Sequence, residues 1–357
     1  MSAPRGGAER DGDLAPRLER FLAKQIPDAT AIRVGGVEAH TEGFSAETFS
    51  FDAAITRGNR AEHKAFVLKR EPVAGLLEPY DLEPEFRVLH ALSDDPLPSP
   101  RTPWFEADPA VLERPFYVME RLPGEVPIPA PGAAGDGPFD AAERGALAPQ
   151  TARTLAQLHA VDWRARDLGF LGVPDTGGTA RRELERWQAR IERSGIVPDP
   201  VVAEALSWLR AHTTECQETV LLHGDYRLGN WLVERAGEMT RLSGLLDWEM
   251  VHLGDPLEDV AWCTSHLWRA GTARAASLAP PDEWLALYAE AAGRRVDRAR
   301  LRFWELLAAV KMIAIQMTGI RAFRDGRTAD LRMAIFDHQL AFLHALVVGL
   351  RGWLPLP

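Results

Sequence analysis

Leu14, Leu18, Phe21 and Leu22 fall on one face at helical spacing, which predicts a short amphipathic helix closing near Pro27. Between Ala31 and Lys69 the period changes. Thr48 to Ile55 and Ala65 to Arg70, separated by the turn Arg57-Gly58-Asn59, read as antiparallel strands. Residues 83–92 return to helical spacing, with Phe86, Leu89 and Leu92 on one face and Pro84 tolerated in the first turn. Pro-rich sequence follows at 96–103, then an apolar strand at 114–121. Leu122 to Pro138 is rich in Pro, Gly and Ala and reads as a connector. Beyond it, helices are predicted over 140–161, 179–193, 201–212, 257–268, 282–292, 301–323 and 330–350. An island of short strands interrupts them around 219–222, 231–235 and 241–247. The pattern therefore predicts an α+β chain: a disordered leader at 1–13, a small antiparallel β lobe over 14–121, the connector 122–138, and a large, mainly helical lobe over 139–357.

Composition narrows the functional classes. The 357 residues are 46% hydrophobic and 26% charged, the profile of an ordinary soluble globular chain. A net charge of −10 argues against nucleic acid as a partner. No apolar run approaches the roughly 18–20 residues of a membrane span, and Met1 to Asp13 lacks a signal-peptide core. The two cysteines, Cys216 and Cys263, have neither disulfide-framework nor metal-ligand spacing. The expectation is a cytoplasmic protein with free thiols, with no membrane or nucleic-acid partner.

The chemistry concentrates in one segment. From His223 the chain reads His-Gly-Asp-Tyr-Arg-Leu-Gly-Asn, followed at 245–249 by Leu-Leu-Asp-Trp-Glu. Phosphoryl transfer needs a carboxylate to accept the proton of the attacking hydroxyl and oxygen ligands to hold Mg²⁺ on the phosphates. Asp225 fits the first role, and Asn230 and Asp247 fit the second. The five defining positions would coincide by chance with a probability on the order of one in ten thousand. Arg227, inside the loop, pairs either with a phosphate or with a nearby carboxylate.

A nucleotide site needs further parts. Thr41 to Thr48 lies between the first two strands. There Gly43 lets the backbone approach a phosphate, and Ser45 offers a hydroxyl and N–H donors. Lys69 ends the strand Phe-Val-Leu-Lys, where its ammonium can reach the α- and β-phosphates. A carboxylate on the next helix would brace it. Glu85 is preferred because it precedes the apolar face, with Glu83 the alternative. Met119 to Leu122 falls where strand passes into connector, so Glu120 and Leu122 are placed, by location, against the adenine edge.

Together these residues resemble the aminoglycoside phosphotransferase/choline-kinase-like branch of the protein-kinase-like fold, from about Ile32 to Met333. The resemblance implies a two-lobed fold with Asp225 as catalytic base, Asn230 and Asp247 as Mg²⁺ ligands, Lys69 as the phosphate lysine, and ATP or GTP as co-substrate. Leu155 to His159 resembles the family's buried helix. Gly254 to Ala261 resembles the segment capping a helix behind the catalytic loop, with Asp255 and Asp259 read as an N-cap and supporting acceptor. Gly224 stands where protein kinases carry Arg, Trp248 follows the metal Asp, and no activation segment is visible, so a small-molecule hydroxyl acceptor is favoured over a protein.

Three segments, 66–72, 115–124 and 315–321, resemble kinase domains fused to acyl-CoA dehydrogenases in animals and their free-standing bacterial relatives, a group associated with phosphorylating hydroxyacyl-CoA thioesters. Residues 262–281 and 338–357 contain no Asp or Glu, which weighs against a polycationic aminoglycoside. Trp262, Trp268, Trp304 and Met317 would offer apolar surface, and Arg269, Arg274, Arg321 and Arg324 would meet CoA phosphates, unless they are core and solvated faces. The competing classes are an antibiotic phosphotransferase, a non-catalytic nucleotide-binding protein on the same fold, and a metal-dependent hydrolase using His223, Asp225, His252 and Cys263-x-x-His266. No Gly-x-x-x-x-Gly-Lys-Ser/Thr is present, which excludes a Walker-type site. ATP versus GTP and oligomeric state are left open by the sequence.

Overall fold

The first amphipathic stretch forms α1 (Leu14–Gln25), and its four apolar positions are all buried. A computed structural model describes residues 14–40, 46–128, 137–175, 178–237, 239–269 and 271–352. The leader 1–13 and part of the connector lie outside the described residues. The chain divides into two compact units: Met1–Gly75, Pro79–Ser93 and Pro100–Leu122 form the first; Leu76–Glu78, Asp94–Ser99 and Pro123–Pro357 form the second.

In the first unit, β1 (Ala31–His40), β2 (Glu47–Arg57), β3 (Arg60–Arg70), α2 (Glu83–Ala91), β4 (Trp104–Glu106), the single-turn α3 (Pro109–Leu112) and β5 (Phe116–Glu120) follow in order. The strands make one antiparallel sheet ordered β1-β2-β3-β5-β4. Alternation along each strand sends Phe49, Phe51, Phe66, Leu68, Phe116 and Val118 into one core with α1, where Phe21 meets Phe116 edge-on at 4.9 Å. The other face carries Tyr117, and α2 covers it through Phe86, whose ring lies 5.2 Å from Phe105 and 6.2 Å from Tyr117. Lys69 pairs in register with Tyr117, so the period of two also puts Lys69 on the α2 side. The short strand β4 and helix α3 lie between the Pro-rich stretch 96–103 and the strand expected at 114–121, where the sequence pattern assigned no element.

The second unit contains α4 (Ala141–His159), α5 (Thr179–Ser194), α6 (Pro200–Ala211), β6 (Val220–Leu222), β7 (Trp231–Ala236), β8 (Met239–Leu245), β9 (His252–Gly254), α7 (Pro256–Thr264), α8 (Pro281–Ala292), α9 (Arg298–Arg324) and α10 (Leu331–Leu350). Two small antiparallel ladders, β6 with β9 and β7 with β8, sit among these helices. Six tryptophans (187, 231, 248, 262, 284 and 304) are fully buried and fill this core.

One expectation needs correction. Two helices, α9 and α10, each hold an 18-residue window of mean hydropathy 1.5, long and apolar enough to cross a membrane. The sequence reading counted uninterrupted apolar residues, whereas these windows tolerate scattered polar ones. The α9 window is 78% buried inside the protein, as befits a core helix, and that of α10 is 33% buried.

Candidate active site

The loop after β6 is shaped by its neighbours before it is shaped for chemistry. Asp255 caps α7 by accepting from the Leu257 amide at 3.0 Å, which starts the helix at Pro256. One turn in, Asp259 accepts from the backbone N–H groups of His223 at 2.8 Å and Gly224 at 2.9 Å. It is fully buried beside His159, whose Nε2 lies 3.4 Å away. Burial pushes the Asp259 carboxyl up, but the His159 hydrogen bond, the two nearby imidazoles and the His223 amide hold it below the usual carboxylate range. Gly224 has φ +80°, and a Cβ there would press on the Met250 carbonyl, 2.8 Å from its carbon. Only glycine fits.

Asp225 follows, 7% exposed, with its carboxylate surrounded by donors. Trp262 Nε1 donates to Oδ1 at 2.6 Å and Asn230 Nδ2 to Oδ2 at 2.6 Å. Arg227 Nε donates to both oxygens, at 2.9 and 3.1 Å, with its guanidinium 4.5 Å above the Trp268 ring. Of the two readings of Arg227, the structure shows the carboxylate pair. His223 behind the loop is held below the ordinary imidazole range by burial, against the pull of Asp259, Asp225 and Asp247.

The β7–β8 hairpin brings the second acidic position to the first. Trp231 pairs with Leu245, and Leu246 N–H donates to the Asn230 carbonyl at 2.8 Å, which sets Asp247 one residue beyond Asn230's backbone partner. Asp247 has φ +64°, an uncommon backbone for a non-glycine residue and one often retained at functional positions. Asn230 spends its Nδ2 on Asp225, so the amide oxygen is the atom left for a cation. Two oxygen donors on adjoining backbone suit a hard divalent cation such as Mg²⁺. A separate buried group, Glu183, His252 and Glu258, also brings ligand atoms within 4.8 Å of one another, but it contains neither Asn230 nor Asp247.

In the first unit, Lys69 Nζ donates to Glu85 Oε1 at 2.8 Å, and both side chains are buried. Glu83, the alternative, is exposed and lies 3.8 Å from Arg87. Helix phase decides between them: Phe86 anchors α2 on the sheet and turns its neighbour Glu85 inward. The Glu120 amide donates to the Arg101 carbonyl at 2.8 Å, so the part of the Glu120 backbone that the adenine-edge expectation can use is its carbonyl. Gly43 and Ser45 lie outside the described residues.

Several expected substrate contacts are core instead. Trp262, Trp304 and Met317 are buried, while Arg321 and Arg324 pair with Asp325 at 2.7 Å and Asp337 at 2.8 Å. Trp268, Arg269 and Arg274 remain partly exposed. Cys263 is buried, and burial drives its thiol well above the ordinary range; among the described residues neither it nor the half-buried His266 belongs to a group of three metal-ligating side chains. Sequence reasoning missed the bond from Trp262 to Asp225, because a contact across 37 residues leaves no local pattern. It also passed over Lys311, whose signal was available: one lysine inside Ala308-Ala309-Val310-Lys311-Met312-Ile313.

Comparison with known proteins places this geometry. Residues 37–304 match the phosphotransferase enzyme family, APH. Among curated proteins, the chain is 30% identical over 275 residues to a probable acyl-CoA dehydrogenase, IBR3, of Arabidopsis thaliana, covering 71% of this chain and 32% of that one. It is 28% identical over 273 residues to human acyl-CoA dehydrogenase family member 11, with the same coverages of 71% and 32%. The chain thus spans about a third of the length of these relatives. Among solved structures, a Ralstonia eutropha chain provisionally named an aminoglycoside phosphotransferase superposes with TM-score 0.70 at 24% identity, covering 95% of this chain and 98% of that one. The macrolide 2'-phosphotransferase MphH of Brachybacterium faecium gives 0.56 at 20% identity, covering 89% and 95%. These likenesses show the fold, which is that of the protein-kinase-like phosphotransferases.

Proposed function

The chain belongs to the phosphotransferase enzyme family, and we propose from that premise that it moves the γ-phosphoryl group of ATP or GTP to the hydroxyl of a small molecule, specifically of a hydroxyacyl-CoA thioester. The observation that carries the reading is the Asp225 carboxylate, fixed by Trp262 and Asn230, with Asp247 set beside Asn230 by the Leu246–Asn230 hydrogen bond. Asp225 accepts the proton of the attacking hydroxyl once Arg227 yields one of its two contacts. Asn230 Oδ1 and Asp247 hold Mg²⁺, which when bound neutralises charge on the phosphates. In the first unit Lys69, braced by Glu85, takes the α- and β-phosphates, with Gly43 and Ser45 as backbone and hydroxyl donors. The Glu120 carbonyl and the Leu122 backbone serve the adenine edge.

Two observations support the thioester acceptor. The curated relatives that align with 71% of this chain are named acyl-CoA dehydrogenases. Residues 262–281 and 338–357 carry no Asp or Glu to meet a polycation. The test is a screen of ADP and GDP release with Mg²⁺ across 4-hydroxyacyl-CoAs, aminoglycosides, macrolides and choline-like alcohols. The thioesters should give the highest kcat/KM, and excess EDTA should abolish it. Turnover of an antibiotic with no release above background on the thioesters would overturn the acceptor assignment.

A further inference from the structure

Lys311 is a charged residue in the middle of an otherwise apolar stretch of α9, and its side chain is 3% exposed. Its ammonium donates to the Gly224 carbonyl at 2.6 Å and lies 3.4 Å from Glu258 Oε1. It also sits 4.4 Å from the centre of the Trp262 ring. Glu258 in turn meets His252 Nε2 at 3.1 Å, and that imidazole lies 3.8 Å from Glu183. The group Glu183, His252 and Glu258 has the composition of a cation site, and the Lys311 ammonium meets its Glu258 from the other carboxylate oxygen.

We propose that Lys311 is a positioning residue for the Asp225 base, acting through the Gly224 carbonyl and the Trp262 indole; the proposal rests on the assignment of Asp225 as base. The backbone route is direct. The Gly224 carbonyl and the Asp225 amide belong to one planar peptide unit, so a bond to that oxygen sets the direction in which Asp225 leaves the chain. Asp259 holds the preceding amide of Gly224 at 2.9 Å, and Lys311 holds the carbonyl, which fixes Gly224 from both ends. Asp225 N–H then faces His223 Nδ1 at 3.2 Å. The second route runs through the ring. A cation over the indole face draws electron density from it and strengthens Nε1–H as a donor, and that N–H is the one given to Asp225 Oδ1 at 2.6 Å. A lysine present only to neutralise Glu258 would have no reason to place its shorter bond on the catalytic loop.

The test needs a signal that survives without turnover. In a ¹H–¹⁵N spectrum of the full chain, the Trp262 indole resonance, identified by its loss in Trp262→Phe, should lie well downfield because of its short bond to a carboxylate. In Lys311→Met it should move upfield and change its response to Asp225→Asn, while the indoles other than Trp187, whose ring the ammonium also faces at 5.3 Å, stay in place. Because a lone Lys311→Met strands Glu258, the double variant Lys311→Met/Glu258→Gln, which removes both charges, is measured in parallel. A folded variant with the Trp262 resonance unmoved would overturn the proposal. With ATP and Mg²⁺ alone and ADP release to water as the probe reaction, kcat should fall on the order of 10- to 100-fold, the range lost with one charge-assisted hydrogen bond, with KM for ATP within about twofold. Adding Trp262→Phe should cost less than the product of the separate losses, and full multiplicativity would count against the coupling. Failure of the base assignment is separately visible: Asp225→Asn would then keep its ADP release, whatever the indole resonance shows.

Discussion

Asp225→Asn exchanges a carboxylate for an amide of nearly the same shape, and the surroundings make its consequences calculable. Oδ1 accepts from Trp262 Nε1 at 2.6 Å and Oδ2 from Asn230 Nδ2 at 2.6 Å, with Arg227 Nε shared between them. An asparagine offers one oxygen and one NH₂ group. Whichever way it turns, one of the two short partners faces a donor across a distance only an acceptor can occupy. One charge-assisted bond is lost, at about 1.5–3 kcal/mol, and a buried donor is left without a partner, at about 1–3 kcal/mol. Relief at removing a buried charge offsets part of this, so the expected loss of stability is roughly 2–4 kcal/mol. Catalysis should suffer more: removing a general base costs about 10²- to 10⁴-fold. Nucleotide affinity should hold within about twofold, because Lys69 and Glu85 are untouched and a fixed-site loss would appear only as chemistry. Urea unfolding, displacement of a fluorescent nucleotide and coupled ADP release on the best acceptor measure the three quantities. Transfer within tenfold of the wild type would refute the base assignment, and unchanged stability would refute the hydrogen-bond geometry.

Three further outcomes follow from single contacts. Glu85→Gln removes the carboxylate charge that faces the buried Lys69 ammonium at 2.8 Å and should cost about 3–5 kcal/mol and raise KM for nucleotide, whereas exposed Glu83→Gln should change stability by under about 0.5 kcal/mol; hydrogen exchange along β3 separates them. Gly224→Ala meets the Met250 carbonyl at φ +80° and should leave little folded protein, while Gly58→Ala, at φ +57° with open space around it, should cost about 1–2 kcal/mol by thermal melt. Burial works to raise the Glu258 carboxyl, but His252 and Lys311 bring it down to about 2 from an ordinary 4.5, so its contribution is complete above pH 4.5 and lost as pH falls towards 2. His252 works the other way. Burial opposes its charge, yet Glu258 and Glu183 raise it, so its contribution is complete below pH 6.5 and fades as pH climbs through the raised value. The urea midpoint should therefore fall less steeply between pH 5 and 3 in Glu258→Gln than in the wild type, and equal slopes would refute the pairing.

How much of this could be read from the chain depends on the range of each interaction. α1, α2 and the long helices of the second unit were legible because their apolar residues repeat within a turn or two, and β2 and β3 because a Gly-Asn turn separates two alternating runs. β4 and β9, three residues each, carry no periodicity of their own and exist through their partners β5 and β6. The choice of Glu85 over Glu83 was legible for a related reason: the apolar face of α2 starts at Phe86, and that phase determines which carboxylate turns inward.

The acceptor side was not legible, for the opposite reason. Tryptophan and arginine carry the same letters whether they line a pocket or close a core, and only tertiary contacts separate the cases. Trp262 was left between ligand surface and core, and it is core: its ring faces the Lys311 ammonium and its N–H is given to Asp225. Arg227 was left between phosphate and carboxylate, and it rests on the base with Trp268 beneath it. These two outcomes point the same way. Both residues sit on Asp225 before any substrate does, one buried and fixed, the other 26% exposed in its side chain. An incoming hydroxyl can therefore displace the Arg227 bond but not the Trp262 bond. On the proposed reaction, selectivity for the acceptor would then fall on what receives the released guanidinium, which an acceptor bearing its own anionic groups would do and a polycation would not.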